Sequence, residues 1–139
     1  MKATVLYRIA AVVFVLFAAG HTFGFLSFKP PTPEGLAVRD AMNQVYFKVG
    51  NASFSYGHFY MGFGLSATVS MLFSAFVAWY LGGMARSNPH AIQSLAWVFV
   101  AVQVVGVVLS YLYFSVAPAA FSAVLVIVLG WAAWLVTAS

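Results

Sequence analysis

The sequence predicts an all-α polytopic membrane protein, an antiparallel bundle of four transmembrane helices with a short amphipathic helix in its long first loop. Three observations predict it. Hydrophobic residues make up 64% of the chain and charged residues only 6%, where a soluble domain carries roughly a quarter of its residues as charges. Four apolar stretches reach the length of about 20 residues that a helix needs to cross a bilayer. The breaks between the last three stretches are short and carry turn residues, so neighbouring helices must run antiparallel. The whole chain, 1–139, is expected to form a single transmembrane domain.

The first span is predicted over 5–27, with Arg8 near its start able to snorkel to the headgroups. Lys2 and Arg8 ahead of an apolar run, followed by Ala18-Ala19-Gly20, imitate a cleavable signal peptide. The apolar character continues through Phe23, Phe25, Leu26 and Phe28, which makes the segment long enough to span instead.

The loop that follows holds Lys29, Glu34, Arg39, Asp40 and Lys48, most of the charge in the chain. Thr32-Pro33-Glu34 is a helix-start signal. Val38, Met42, Val45, Tyr46 and Val49 recur at helical spacing between charged and polar residues. An amphipathic helix over 33–49 is therefore predicted, lying on the membrane surface or capping the bundle, with its stop at Gly50-Asn51.

The second span is predicted over 57–81, closed by Gly82-Gly83. Every fourth residue along it is small or polar: His58, Gly62, Ser66, Ser70, Ser74, Ala78 and Gly82. Helices in lipid associate through such small residues, and a row spaced by four drifts about 40° per step, so the seam should face more than one neighbour. Gly20 and Gly24 on the first span have the spacing that permits close backbone approach. The third span, 91–114, starts after the cap signal Asn88-Pro89, and Ala117-Pro118 separates it from the fourth, 119–136.

Charge sets limits on partners. The net charge of +4 rests on six scattered Lys and Arg, with no basic stripe or nucleic-acid module, so nucleic acid is excluded as a partner and membrane lipids are the natural counter-charge. Lys2, Arg8 and Arg86 flank one side of the membrane and Lys29, Arg39 and Lys48 the other, a tie for the positive-inside rule. Only the second group is diluted by acids, Glu34 and Asp40, which favours both termini in the cytoplasm. Trp79, Trp97, Trp131 and Trp134 fall toward the terminus-bearing face, while Tyr46, Tyr56, Tyr60, Tyr111 and Tyr113 fall toward the other, as interfacial belts do.

Chemistry-bearing residues are few. The chain has no Cys and no Asp or Glu within a predicted span, which removes thiolate nucleophiles, carboxylate acids and bundle-type dimetal sites. His90 falls in a short loop, where a solvated imidazole is expected. Gln103 lies mid-span, so its amide must point inward, toward a partner such as Ser70 or toward a ligand. His21 and His58 are the leading candidates for function, because ionisable groups within spans face the bundle interior or a wet cavity. A haem or metal held jointly by them is disfavoured by depth. Counted from Arg8 and Trp79, they differ in height by up to roughly 10 Å, and two axial imidazoles must face each other across one iron.

Three phrases, Gly20-His21-Thr22-Phe23-Gly24-Phe25, Val38-Arg39-Asp40-Ala41-Met42 and Phe59-Tyr60-Met61-Gly62-Phe63-Gly64-Leu65, resemble those of uncharacterised bacterial four-helix membrane proteins of similar length. The resemblance covers most of the chain and implies an inner-membrane location, without an activity to carry over. A fainter likeness to DoxX-like four-helix proteins rests on topology alone. The expected ligand-binding residues are His21, His58, Tyr56, Tyr60, Tyr111 and Gln103, gathered around a lipid or hydrophobic small molecule near the non-cytoplasmic face. Two alternatives stand beside this one. One is a membrane redox or isomerising enzyme using His21 and His58 as acid and base or as cofactor ligands. The other is a structural subunit of a homo-oligomer or larger membrane complex.

Overall fold

The computed structural model describes residues 2–138. Five α-helices and one β-hairpin follow in the order α1 (Lys2–Ser27), α2 (Pro33–Gln44), β1 (Tyr46–Val49), β2 (Ala52–Ser55), α3 (Tyr56–Ser87), α4 (Gln93–Tyr113) and α5 (Val116–Thr137). A single 3₁₀ turn, Pro89–Ile92, precedes α4. Four helices are long and apolar enough to cross a membrane, as the four apolar stretches predict. The chain divides into two compact units, residues 1–18 with 71–139, and residues 19–70.

The first unit is a four-helix bundle built from the start of α1, the end of α3, and α4 with α5. Its core mixes alanines with large side chains such as Leu81, Leu125 and Phe14. Ala10, Ala78, Ala132 and Ala133 are fully buried, whereas large apolar side chains such as Ile127 and Phe76 lie exposed on the outer surface. That is the distribution expected in lipid, where small residues let helices approach and large ones meet the acyl chains. Stacked rings bridge the helices, Phe14 on Phe99 at 5.5 Å and Phe17 on Phe121 at 5.0 Å. Gln103, Ser110 and Ser122 are buried polar residues of the same unit.

Helix ends follow local chemistry. Thr32 caps α2 by accepting the Gly35 amide, with Pro33 in the first turn. Asn88 does the same for the 3₁₀ turn through the Ala91 amide, again followed by a proline. Two predicted stops are overturned. Gly82-Gly83 does not end α3, which continues to Ser87; Gly82 packs so closely on α1 that an added Cβ would stand 3.2 Å from Tyr7 Cβ and 3.3 Å from the Thr4 carbonyl oxygen. Pro118 does not exclude the residues before it from α5, which begins at Val116. It occupies the first turn, where a missing N–H loses no intrahelical bond.

The second unit holds the end of α1, α2, the hairpin and the start of α3. Its α2 is shorter than the predicted helix over 33–49. The helix stops at Gln44, Val45 turns extended (φ −89°, ψ 123°), and Tyr46–Val49 pairs antiparallel with Ala52–Ser55 in the register Tyr46↔Ser55 to Val49↔Ala52. Gly50-Asn51 is the hairpin turn. Gly50 has φ 60° and no other described residue has positive φ, the pattern of a type II′ turn, which needs glycine at its first central position. The hairpin feeds directly into α3: Ser55, buried, accepts the His58 amide on its hydroxyl and so caps the helix.

Candidate functional site

The two histidines singled out from the sequence are held by the second unit, and they do different things. His21, on the last turns of α1, bonds through Nε2 to the Gly64 carbonyl oxygen of α3 at 3.0 Å. A carbonyl only accepts, so Nε2 carries the proton and donates. Beside it, the hydroxyls of Thr22, the next residue of α1, and of Thr68, one turn beyond Gly64 on α3, meet at 2.8 Å. The His21 ring stacks on Phe25 at 5.8 Å, and Phe25 lies 5.2 Å from Tyr60. The Phe25 ring fills the space where a Cβ on Gly64 would stand. Close approach of the two helices therefore occurs at Gly64. Gly20 and Gly24, the pair marked by the sequence for this purpose, have open space beside them.

His58 faces elsewhere. Gly64 is six residues along α3 from His58, which places the two about 120° apart around the axis and about 9 Å apart along it. The face of α3 that carries Tyr60, Gly64 and Thr68 is turned to α1, and the face that carries His58, Gly62 and Ser66 is turned away. Burial agrees, since His58, Gly62 and Ser66 are exposed while Gly64 and Thr68 are partly covered. His21 and His58 consequently do not share a ligand position on one metal or one haem iron. Among the described residues no cluster of three or more His, Cys, Asp or Glu has metal-binding geometry.

On its outer face His58 borders an open groove of about 370 Å³, lined by Phe54 of β2 and by His58, Phe59, Gly62, Phe63 and Ser66 of α3. One wall is rigid aromatic packing: Phe47 lies 4.9 Å from Tyr56 and 5.6 Å from Phe59, and Phe59 lies 4.7 Å from Phe63. The hairpin is thus welded to the first turns of α3 by rings, and the groove floor is Gly62, beside which an added Cβ would meet nothing within 4 Å. An apolar trough with one imidazole and one hydroxyl at its rim suits a molecule with an oily body and a single hydrogen-bonding group.

Of the six residues expected to gather round a ligand, only some are brought together. His21 and Tyr60 are linked through Phe25; Tyr56 stands against Phe47 in the groove wall; His58 lines the groove itself. Tyr111 and Gln103 belong to α4 in the other unit, where Tyr111 is 77% exposed and Gln103 only 8%. Ser70, the partner suggested for Gln103, donates its hydroxyl to the Ser66 carbonyl within its own helix. His90 is exposed, with Nδ1 3.1 Å from Gln93 Nε2. Sequence reasoning missed Phe54, Phe59, Phe63 and Ser55. The spacing Phe59, Gly62, Phe63, Ser66 marks one helical face and could have been grouped with His58.

These features define the class: a multi-pass helical membrane protein whose first long loop folds into a helix and a hairpin against the start of its second span. Comparison with protein-family models, with curated proteins and with solved structures finds no match to this chain. Its function has to be read from its own residues.

Proposed function

We propose that the protein is a non-enzymatic or accessory membrane bundle that holds a lipid or other hydrophobic small molecule in the groove beside His58. The observation that carries this reading is the groove itself, an aromatic-walled trough of about 370 Å³ with His58 and Ser66 as its polar members. In the acid–base alternative the Gly64 carbonyl would orient His21 through Nε2 and leave Nδ1 and the His58 ring as the titrating groups. With the uncompensated basic residues Lys2, Arg8 and Arg86 on the cytoplasmic side, the groove opens toward the non-cytoplasmic leaflet. In this reading the membrane is the bacterial inner membrane, as the resemblance to bacterial four-helix proteins implies.

Purification of the full chain in mild detergent, followed by solvent extraction and mass spectrometry, tests the reading. The expected result is a co-purifying apolar molecule that is depleted several-fold in Gly62→Phe, a substitution with room for its side chain that fills the trough. His58→Ala should weaken retention without emptying it, by about the tenfold that one hydrogen bond to a charged or polar head is worth. Wild-type protein that yields no such molecule, or Gly62→Phe protein that retains it in full, would sink the proposal.

A further inference from the structure

The start of α1 carries three buried polar groups that meet no hydrogen-bond partner among the described residues. They are Thr4 Oγ1, Tyr7 Oη and Arg8 Nη1, and Tyr7 is only 1% exposed. All three residues surround the same point on α3. A Cβ added to Gly82 would stand 3.2 Å from Tyr7 Cβ, 3.3 Å from the Thr4 carbonyl oxygen and 3.4 Å from Arg8 Nε. Unpaired buried groups of this kind are rare in folded proteins and mark a missing partner.

The charge sharpens the point. The Arg8 guanidinium lies over the Trp79 ring, its Cζ 3.2 Å from the ring centroid. Stacking uses the flat face of the guanidinium and leaves its in-plane N–H donors available for a planar or tetrahedral oxyanion. Within its own unit, among the described residues, Arg8 has no acidic side chain to pair with: Glu34 and Asp40 both belong to α2.

A second feature begins where Arg8 ends. An apolar groove of about 430 Å³ runs between α1 and α3, lined by Ala11, Val12, Val15, Leu72, Phe76 and Trp79 among others. Thr4, Arg8, Ala11 and Val15 fall within about 60° of one another around α1, so Thr4, Arg8 and the groove form one stripe. Trp79 belongs to both. From Trp79 to Leu72 the groove extends about 10 Å along α3.

We infer that this stripe is a binding site for an anionic glycerophospholipid, its phosphate on the Arg8 guanidinium and one acyl chain in the groove between α1 and α3. The order along the helix is the order along a lipid: the charged group comes first, then an amphipathic indole at the level of the glycerol, then aliphatic walls. The site shares no residue with the groove at His58 and stands without it.

The full chain, stripped of lipid in detergent and titrated with dioleoyl phosphatidylglycerol, dioleoyl phosphatidylcholine or inorganic phosphate, tests the inference by native mass spectrometry. Wild type is expected to bind one phosphatidylglycerol about tenfold more tightly than phosphatidylcholine and to bind inorganic phosphate weakly or not at all. Arg8→Gln should erase the preference between the two lipids. Leu72→Trp, at a half-exposed position in the groove, should weaken both lipids while leaving the fold intact, and it serves as the second variant should Arg8→Gln fail to fold. No preference in wild type, a preference that survives Arg8→Gln, or phosphate binding as tight as lipid binding would each overturn it. Loss of the ligand in Gly62→Phe with phosphatidylglycerol binding retained would separate this site from the one at His58.

Discussion

Gly64 decides how α1 and α3 meet, and the relative sizes of two effects say which residue there matters most. A hydrogen bond between membrane helices contributes about 0.6 kcal/mol on average and at most about 1.7, because the separated helices find other partners. Inserting a methyl group into filled space costs about 1–3 kcal/mol. The His21 bond to the Gly64 carbonyl belongs to the first kind, and the Phe25 ring seated against Gly64 belongs to the second. Gly64→Ala is therefore expected to lower thermal stability in detergent more than His21→Ala does. Phe25→Leu should recover part of the Gly64→Ala loss, since the two side chains compete for the same volume, and a double-mutant cycle would show that coupling. Additive effects from Gly64 and Phe25, or a larger loss from His21→Ala, would mean that packing is not what fixes this crossing.

At the level of the hairpin, the fold rests on one turn and a few rings. Two strands of four residues are marginal alone, so β1 and β2 depend on Gly50 at φ 60° and on the contacts of Phe47 with Phe54, Tyr56 and Phe59. Alanine at Gly50 would be strained by about 1 kcal/mol or more, a factor of about five in the opening equilibrium. Amide exchange at Phe47 and Phe54 should accelerate by roughly that factor in Gly50→Ala, with α4 amides unchanged. Equal exchange in both proteins would show that the rings alone hold the strands. The same segment shows where the sequence is ambiguous. Val45, Tyr46 and Val49 satisfy a helical period and are also strand-forming residues, and Gly50-Asn51 is equally a helix stop and a hairpin turn. The long apolar runs and the Thr32-Pro33 and Asn88-Pro89 starts carry no such ambiguity, and each is found as a helix beginning. For the candidate site, His58 was visible as a polar residue in an oily run. Its separation from His21 was not, because the face that α3 turns to α1 is chosen by Phe25 fitting against Gly64, a shape match with no period to betray it.

Over the whole chain, the proposed topology of four crossings would put the start of α1 and the end of α5 on one side of the membrane and the first long loop on the other. α1 is 26 residues long and α3 is 32, or about 39 and 48 Å, against a hydrocarbon core of about 30 Å. Both therefore exceed the core, and in that topology their ends, with Lys2, Arg86 and the hairpin charge at Lys48, would reach the headgroups. The complete absence of cysteine makes this arrangement directly measurable, because any single cysteine introduced is the only thiol in the molecule. In sealed vesicles of one orientation, a membrane-impermeant maleimide is expected to label Lys2→Cys and Ser87→Cys from the same side. Lys48→Cys and Asn51→Cys should react only from the opposite side. Reaction of Lys2→Cys and Lys48→Cys from one side would mean that α1 does not cross the bilayer. The proposed opening of the His58 groove toward the non-cytoplasmic leaflet would then fall, since the loop that walls it would be on the same side as Lys2.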